Sequence, residues 1–171
     1  MSNNYLPIHR TRGMLATPDW TIVFNPRTGS RSLAAALRDS GHEVRHGHVR
    51  PEWVMKHTQS SRIIGVARDP MTWAWSFYWK ANVQIPFEKW LDANHRDVGI
   101  YWGRGLNCYR DIITEYWVFE KGYPALLEHL GMQPDAAHHI GESEKPIDPY
   151  WYDGIEEYFP DDCALYRELT A

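Results

Sequence analysis

The sequence predicts an α/β domain, a three-layer α/β/α sandwich on a central parallel sheet of about four or five strands. Three stretches carry that prediction. Trp20 to Phe24 is a short apolar run, followed by the Pro/Gly turn Asn25 to Gly29 and an Ala/Leu-rich helix from Ser30 to Leu37. Arg62 to Ala67 (RIIGVA) is a second apolar run, dense enough to be covered on both faces, with a helix from about Met71 to Ala81 behind it. Glu115 to Phe119 (EYWVF) and the helical stretch Tyr123 to Leu130, stopped by Gly131, repeat the order a third time.

Composition bounds what such a domain can do. The chain has 171 residues, 43% hydrophobic and 23% charged, which fits one ordinary globular domain over residues 19–171 behind an N-terminal arm, 1–18. Pro7, Gly13 and Pro18 break any pattern in the arm. Nine Trp and ten Tyr exceed what a core of this size needs, so some are expected to line a pocket or an interface. A net charge of −4 argues against a general nucleic-acid binder, and any anion site must therefore be local. Cys108 and Cys163 cannot build a disulfide framework and are read as free thiols, with a single bridge as the alternative. No C-x-x-C spacing suggests a metal. The N-terminus has no signal-like apolar stretch, and no run of about 18 apolar residues occurs, so the expectation is a cytoplasmic protein without membrane contact. Oligomeric state is not legible.

The turn before the first helix is the most informative segment. Helix N-termini leave backbone N–H groups without intrahelical partners and carry about half a positive charge, so an anion is the natural guest. Arg27, Ser30, Arg31 and Ser32 add two cations and two hydroxyls there, while Gly29 admits close approach of a ligand to the backbone. The nucleotide-binding string G-x-x-x-x-G-K-[ST] is absent, which disfavours ATP hydrolysis. Asp39-Ser40-Gly41 stops the helix. The segment His42 to Val49 then reads as an irregular strand that places His46 and His48 on one face. Pro51 to His57 can form a short helix. After the second strand, Arg68-Asp69-Pro70 closes the strand, caps the next helix and supplies its first-position proline; Ser76 lies two turns in, within reach of the same ligand group as Arg68. Pro86 to about Ala93 reads as a helix, Asn94 to Leu106 as a glycine-containing loop suited to an acceptor site, and Tyr109 to Thr114 as a helix. His138-His139 precede an irregular segment with Ser143 and Lys145, read as a surface loop, and Tyr150 to Leu169 reads as one or two helices.

Pro26-Arg27-Thr28-Gly29-Ser30-Arg31-Ser32-Leu33 resembles the 5′-phosphosulfate loop of sulfotransferases that use 3′-phosphoadenosine 5′-phosphosulfate (PAPS), Pro-Lys/Arg-Thr/Ser-Gly/Ala-Ser/Thr-x-Ser/Thr-Leu/Phe; Arg31 is the unusual residue. Arg68-Asp69-Pro70 with Ser76 and Tyr78 is similar to the family's 3′-phosphate segment, although Trp73 stands where a second arginine is common. Glu120 fills the place of a glutamate that ends a late strand in the family and is taken as structural. Asp162 to Tyr166 is similar to the family's final Asp-x-x-x-Leu/Tyr run. The resemblance covers about Trp20 to Arg167, is strongest in the two nucleotide motifs, and implies a P-loop-like topology. It also implies that Arg27, Thr28, Gly29, Ser30, Arg31, Ser32, Arg68 and Ser76 bind the co-substrate PAPS and release the product PAP without a metal. The acceptor would be a hydroxyl, on a saccharide if the string His46-Gly47-His48 matches that of the heparan 2-O-sulfotransferases.

Sulfuryl transfer needs a cradle for the phosphosulfate, a cation at the departing phosphate and a base for the acceptor proton. The loop amides, Ser30 and Ser32 fit the first need. By family analogy Arg27 fits the second, and a guanidinium grips two oxygens at once. Imidazole titrates near neutrality. The resemblance makes His48 the base and His46 its support, with Glu43 in reserve. Two other readings remain: a small-molecule or nucleoside kinase on the same scaffold, and a PAPS/PAP-binding module without activity.

Overall fold

The computed structural model describes residues 14–16, 19–23, 27–42, 54–56, 58, 60–82, 84–101, 110–132 and 154–171, with the backbone alone at 14–16 and 96–101. Four strands form one sheet in the order β1 (Met14–Ala16), β2 (Thr21–Val23), β3 (Ile63–Ala67) and β4 (Glu115–Val118). Its three pairings have two senses: β2, β3 and β4 run parallel, and β1 pairs antiparallel to β2 with Met14 opposite Val23. Every residue of β2 and β3 is buried, the pattern of a parallel strand covered on both sides.

Helix α1 (Ser30–Asp39) connects β2 to β3. It ends where the sequence says it should. Gly41 takes φ 84°, its N–H returns to Arg38 O at 2.9 Å, and the His42 N–H returns to Leu37 O at 2.9 Å, which satisfies two terminal carbonyls. Helix α2 (Pro70–Ala81) starts from a true cap: the Asp69 carboxylate accepts the Thr72 N–H at 2.9 Å, and Pro70 sits where its missing N–H costs nothing. Helix α3 (Phe87–Tyr101), a 3-10 turn (Phe119–Lys121), α4 (Tyr123–His129), α5 (Ile155–Tyr158) and α6 (Pro160–Thr170) follow among the described residues.

The core has separate parts. Ile22, Ile64 and Val66 of the sheet pack with Leu33 and Leu37 of α1 and Leu126 and Leu127 of α4. Ala67 instead meets Leu165 of α6 with Tyr116 and Leu169 beside it, because side chains alternate along a strand. An aromatic cluster joins α2 to α3 and to the C-terminal helices, with Trp73, Phe77, Phe87, Trp90 and Phe159 among its members.

Several expectations change. Three parallel strands are present among the described residues, against about four or five expected; of the segment His42 to Val49 read as an irregular strand, His42 is not in a strand and 43–49 lie outside those residues. Met14–Ala16, at the end of the expected arm, is a strand, since β2 has an open edge to pair. The helix expected to stop near Ala93 continues to Tyr101 through part of the expected loop; a single interior glycine such as Gly99 costs only about 1 kcal/mol. Residues 110–112 form a turn rather than a helix. Thr114 explains why: its hydroxyl accepts the Ile63 N–H at 2.8 Å and its own N–H donates to Ile63 O at 2.9 Å, so the chain is already drawn alongside β3. The helix expected over 51–57 is helical at 54–56 among the described residues. No helix of the described residues is long and apolar enough to cross a membrane.

Candidate functional site

Arg27 follows β2, Arg68 follows β3, and Glu120 lies two residues past β4, so all three stand at the carboxyl ends of the parallel strands. That rim is where open α/β sheets bind ligands. The sequence places a turn after each strand; only the parallel register puts those turns side by side.

The loop itself is unusual in its backbone. Arg27 has φ 61° and Gly29 has φ 66°, while Thr28 between them does not take a positive φ. A β-carbon on Gly29 would stand 2.8 Å from the Tyr123 ring and 2.9 Å from Phe119, so a side chain is excluded by contact as well as by torsion. Helix α1 then begins with Gly29 as its cap residue and no side-chain cap bond. The N–H groups of Ser32 and Leu33 close back on Gly29 O at 2.9 and 3.2 Å. Thr28, Ser30 and Ser32 are buried and Arg31 is exposed.

The two predicted binding segments meet at Arg27. Its Nε donates to Ser76 Oγ at 3.3 Å, and Ser76 Oγ donates to Trp73 O at 2.7 Å. From the other side, Arg68 Nη1 donates to the Arg27 carbonyl at 2.8 Å and Arg68 Nε to Thr72 Oγ1 at 3.0 Å. Arg68 and Ser76 therefore share a neighbour. The Arg68 guanidinium also lies over the Phe119 ring, 4.8 Å from its centroid.

Charge is concentrated here. Burial, and then the nearby Arg31, hold the Arg27 pKa below its ordinary value. Burial also lowers Arg68, with Arg27 acting in the same sense and Glu120, Tyr123 and Asp69 opposing it. Arginine remains protonated at any physiological pH. What the shifts express is that cations partly stripped of water sit together, an arrangement that an added anion relieves.

Glu120, taken as structural, accepts the Asp69 N–H at 3.1 Å and so ties the end of β4 to the start of α2. Tyr78 donates to Ile85 O at 2.6 Å. Trp73, in the place of a family arginine, is buried and packs edge-on against Phe77 and Phe159, so that position belongs to the core. Cys163 is a buried free thiol whose pKa is pushed up to about 11 by burial and then by Glu156 and Asp162. Cys108, Glu43, His46, His48, His138, His139, Ser143 and Lys145 lie outside the described residues. Among the described residues no group of three or more His, Cys, Asp or Glu side chains could hold a metal.

Sequence reasoning missed Thr72, Phe119 and Tyr123. Thr72 follows a recognisable Asp-Pro cap and lies four residues from Arg68, a usable signal. Phe119 and Tyr123 are distant in sequence and reach the loop only through the tertiary fold: Tyr123 donates its hydroxyl to the Thr28 carbonyl, and burial raises its pKa.

No family model and no curated protein matches the chain. Among solved structures, the chain is similar to the crystal structure of a sulfotransferase from Alicyclobacillus acidocaldarius, at 15% sequence identity and a TM-score of 0.43, covering 70% of this chain and 58% of that one. The chain thus spans less than two thirds of that protein's length.

Proposed function

We propose that this chain is a PAPS-dependent sulfotransferase, with a P-loop-like three-layer fold over residues 19–171, that moves the sulfuryl group to a hydroxyl of an acceptor, a carbohydrate. One observation supports this reading above the rest: Arg27, at the anion-binding turn, is in hydrogen-bond contact with both Arg68 and Ser76, the residues suited to a second phosphate. A ligand with two anionic groups, one at each end of an adenosine, suits such a pair of neighbouring cationic corners.

In this reading the first turn of α1, with Ser30 and Ser32, holds the phosphosulfate, and Arg68 with Ser76 holds the 3′-phosphate. Arg27 stands at the bridging oxygen and meets the charge that grows on the departing phosphate. His48, supported by His46, takes the proton of the acceptor hydroxyl while the sulfur–oxygen bond to phosphate breaks and the bond to the acceptor oxygen forms. Glu43 is the reserve base. No metal takes part, PAP leaves as product, and neither nucleic acid nor a membrane is a partner; the protein works in the cytoplasm.

Two measurements test the reading. The melting temperature should rise with PAP and stay fixed with Mg-ATP, because ligand that binds only the folded state stabilises it by mass action. A rise with Mg-ATP alone would favour a kinase. Radiolabelled PAPS with glycans, phenols and peptides should then give a labelled saccharide; binding of PAP without any turnover would leave a binding module.

A further inference from the structure

Two successive carbonyls of the turn are held from outside it. Arg68 Nη1 donates to Arg27 O at 2.8 Å, and the Tyr123 hydroxyl donates to Thr28 O. Both donors belong to one wall: the Arg68 guanidinium covers Phe119, and Phe119 meets Tyr123 edge-on with centroids 5.8 Å apart. No peptide bond here is cis. In a trans peptide the C=O and the following N–H point in opposite directions. Turning Arg27 O and Thr28 O into the wall therefore turns the N–H groups of Thr28 and Gly29 away from it. The alternation of φ, positive at Arg27 and Gly29 but not at Thr28, is the backbone pattern that gathers successive N–H groups into an anion-holding concavity.

We infer that Tyr123 is a positioning residue for the transferred group: by anchoring Thr28 O, with its ring against Gly29, it orients the Gly29 amide toward the phosphosulfate. This rests on the proposed sulfotransferase reading. Tyr123 touches no reacting atom. Its hydroxyl sets the plane of one peptide, and the ring closes the space that a β-carbon on Gly29 would occupy.

The test uses the full chain and Tyr123→Phe, which keeps the ring and removes the hydroxyl. Inorganic pyrophosphate probes the turn, and adenosine 3′-monophosphate probes the Arg68/Ser76 end. Tyr123→Phe should weaken pyrophosphate about tenfold, the equivalent of about 1.4 kcal/mol, while adenosine 3′-monophosphate binds within about twofold of the parent. For PAPS, KM should rise with the lost pyrophosphate affinity and kcat should fall as well, because the Gly29 amide also faces the group on which charge grows. Independently of any variant, the Gly29 amide resonance of the parent should move downfield as pyrophosphate is added. A Gly29 amide that does not respond, or a variant equal to the parent in pyrophosphate affinity, overturns the inference even if PAPS is turned over. A parent that binds neither probe overturns both the inference and the reading beneath it.

Discussion

Arg68 makes three kinds of contact at once: a hydrogen bond to the Arg27 carbonyl, one to the Thr72 hydroxyl, and a cation–π contact with Phe119. Such a residue holds its neighbours, and in the proposed reading it holds the nucleotide as well. Arg68→Ala should weaken PAP about ten- to a hundredfold by calorimetry, since a lost charge-assisted contact costs about 1.5–3 kcal/mol. Equal affinity of variant and parent would remove Arg68 from the nucleotide site. His48 is the second residue on which the proposal turns. His48→Ala should lower PAPS turnover by about two to four orders of magnitude and leave PAP binding within about twofold, the pattern of a lost general base. An unchanged rate would pass the role to Glu43. At this scale Arg27 and Arg68 stood out by residue type and by the resemblance of their motifs, and the structure sets them in hydrogen-bond contact. Tyr123 did not stand out, because nothing in a strand-helix pattern tells which ring will reach a loop 95 residues away.

Among the elements, α2 is the one whose start is both structural and close to the site. Asp69 caps it through the Thr72 N–H, and the Asp69 N–H is in turn held by Glu120. Asp69→Ala should cost about 1 kcal/mol in urea unfolding, the usual worth of such a cap. It should also loosen Arg68, which bonds Thr72 in the same turn, so PAP affinity should drop with stability. Stability lost with PAP affinity intact would show that the cap and the site are independent. Elements with a clear apolar period and a capping residue, α1 and α2, were readable to within a residue or two. The start of β4 was also readable, but the turn before it was not, because Thr114 is drawn to β3 by bonds to Ile63 that no local propensity encodes.

For the molecule as a whole, the parallel sheet has two unlike ends. The carboxyl end gathers Arg27, Arg68 and Glu120, whereas at the opposite end Arg62 donates to Glu115 at 2.8 Å and His129 pairs with the same carboxylate. Burial pushes the Glu115 pKa up, but the hydrogen bonds from Arg62 and His129 outweigh it and leave the carboxyl below its ordinary value. A depressed folded pKa adds stability above the unfolded value, about 4.3, and that stability is lost as pH falls through the lower folded value. Glu115→Gln should therefore flatten the acid limb of a stability–pH curve below about pH 4 while leaving PAP binding unchanged; the pair is half exposed, so its contribution at neutral pH is small. An acid limb identical to the parent's would remove Glu115 from it. What the residues decided by themselves was local: apolar runs make strands, Gly41 and Asp69 end and begin helices, and two motifs carry cations suited to phosphate. What only the tertiary structure decided was adjacency. Parallel pairing of β2 with β3 is a long-range event, and it alone brings Arg27 against Ser76 and Arg68, because hydrogen-bond register between distant strands is written in no stretch of sequence short enough to read.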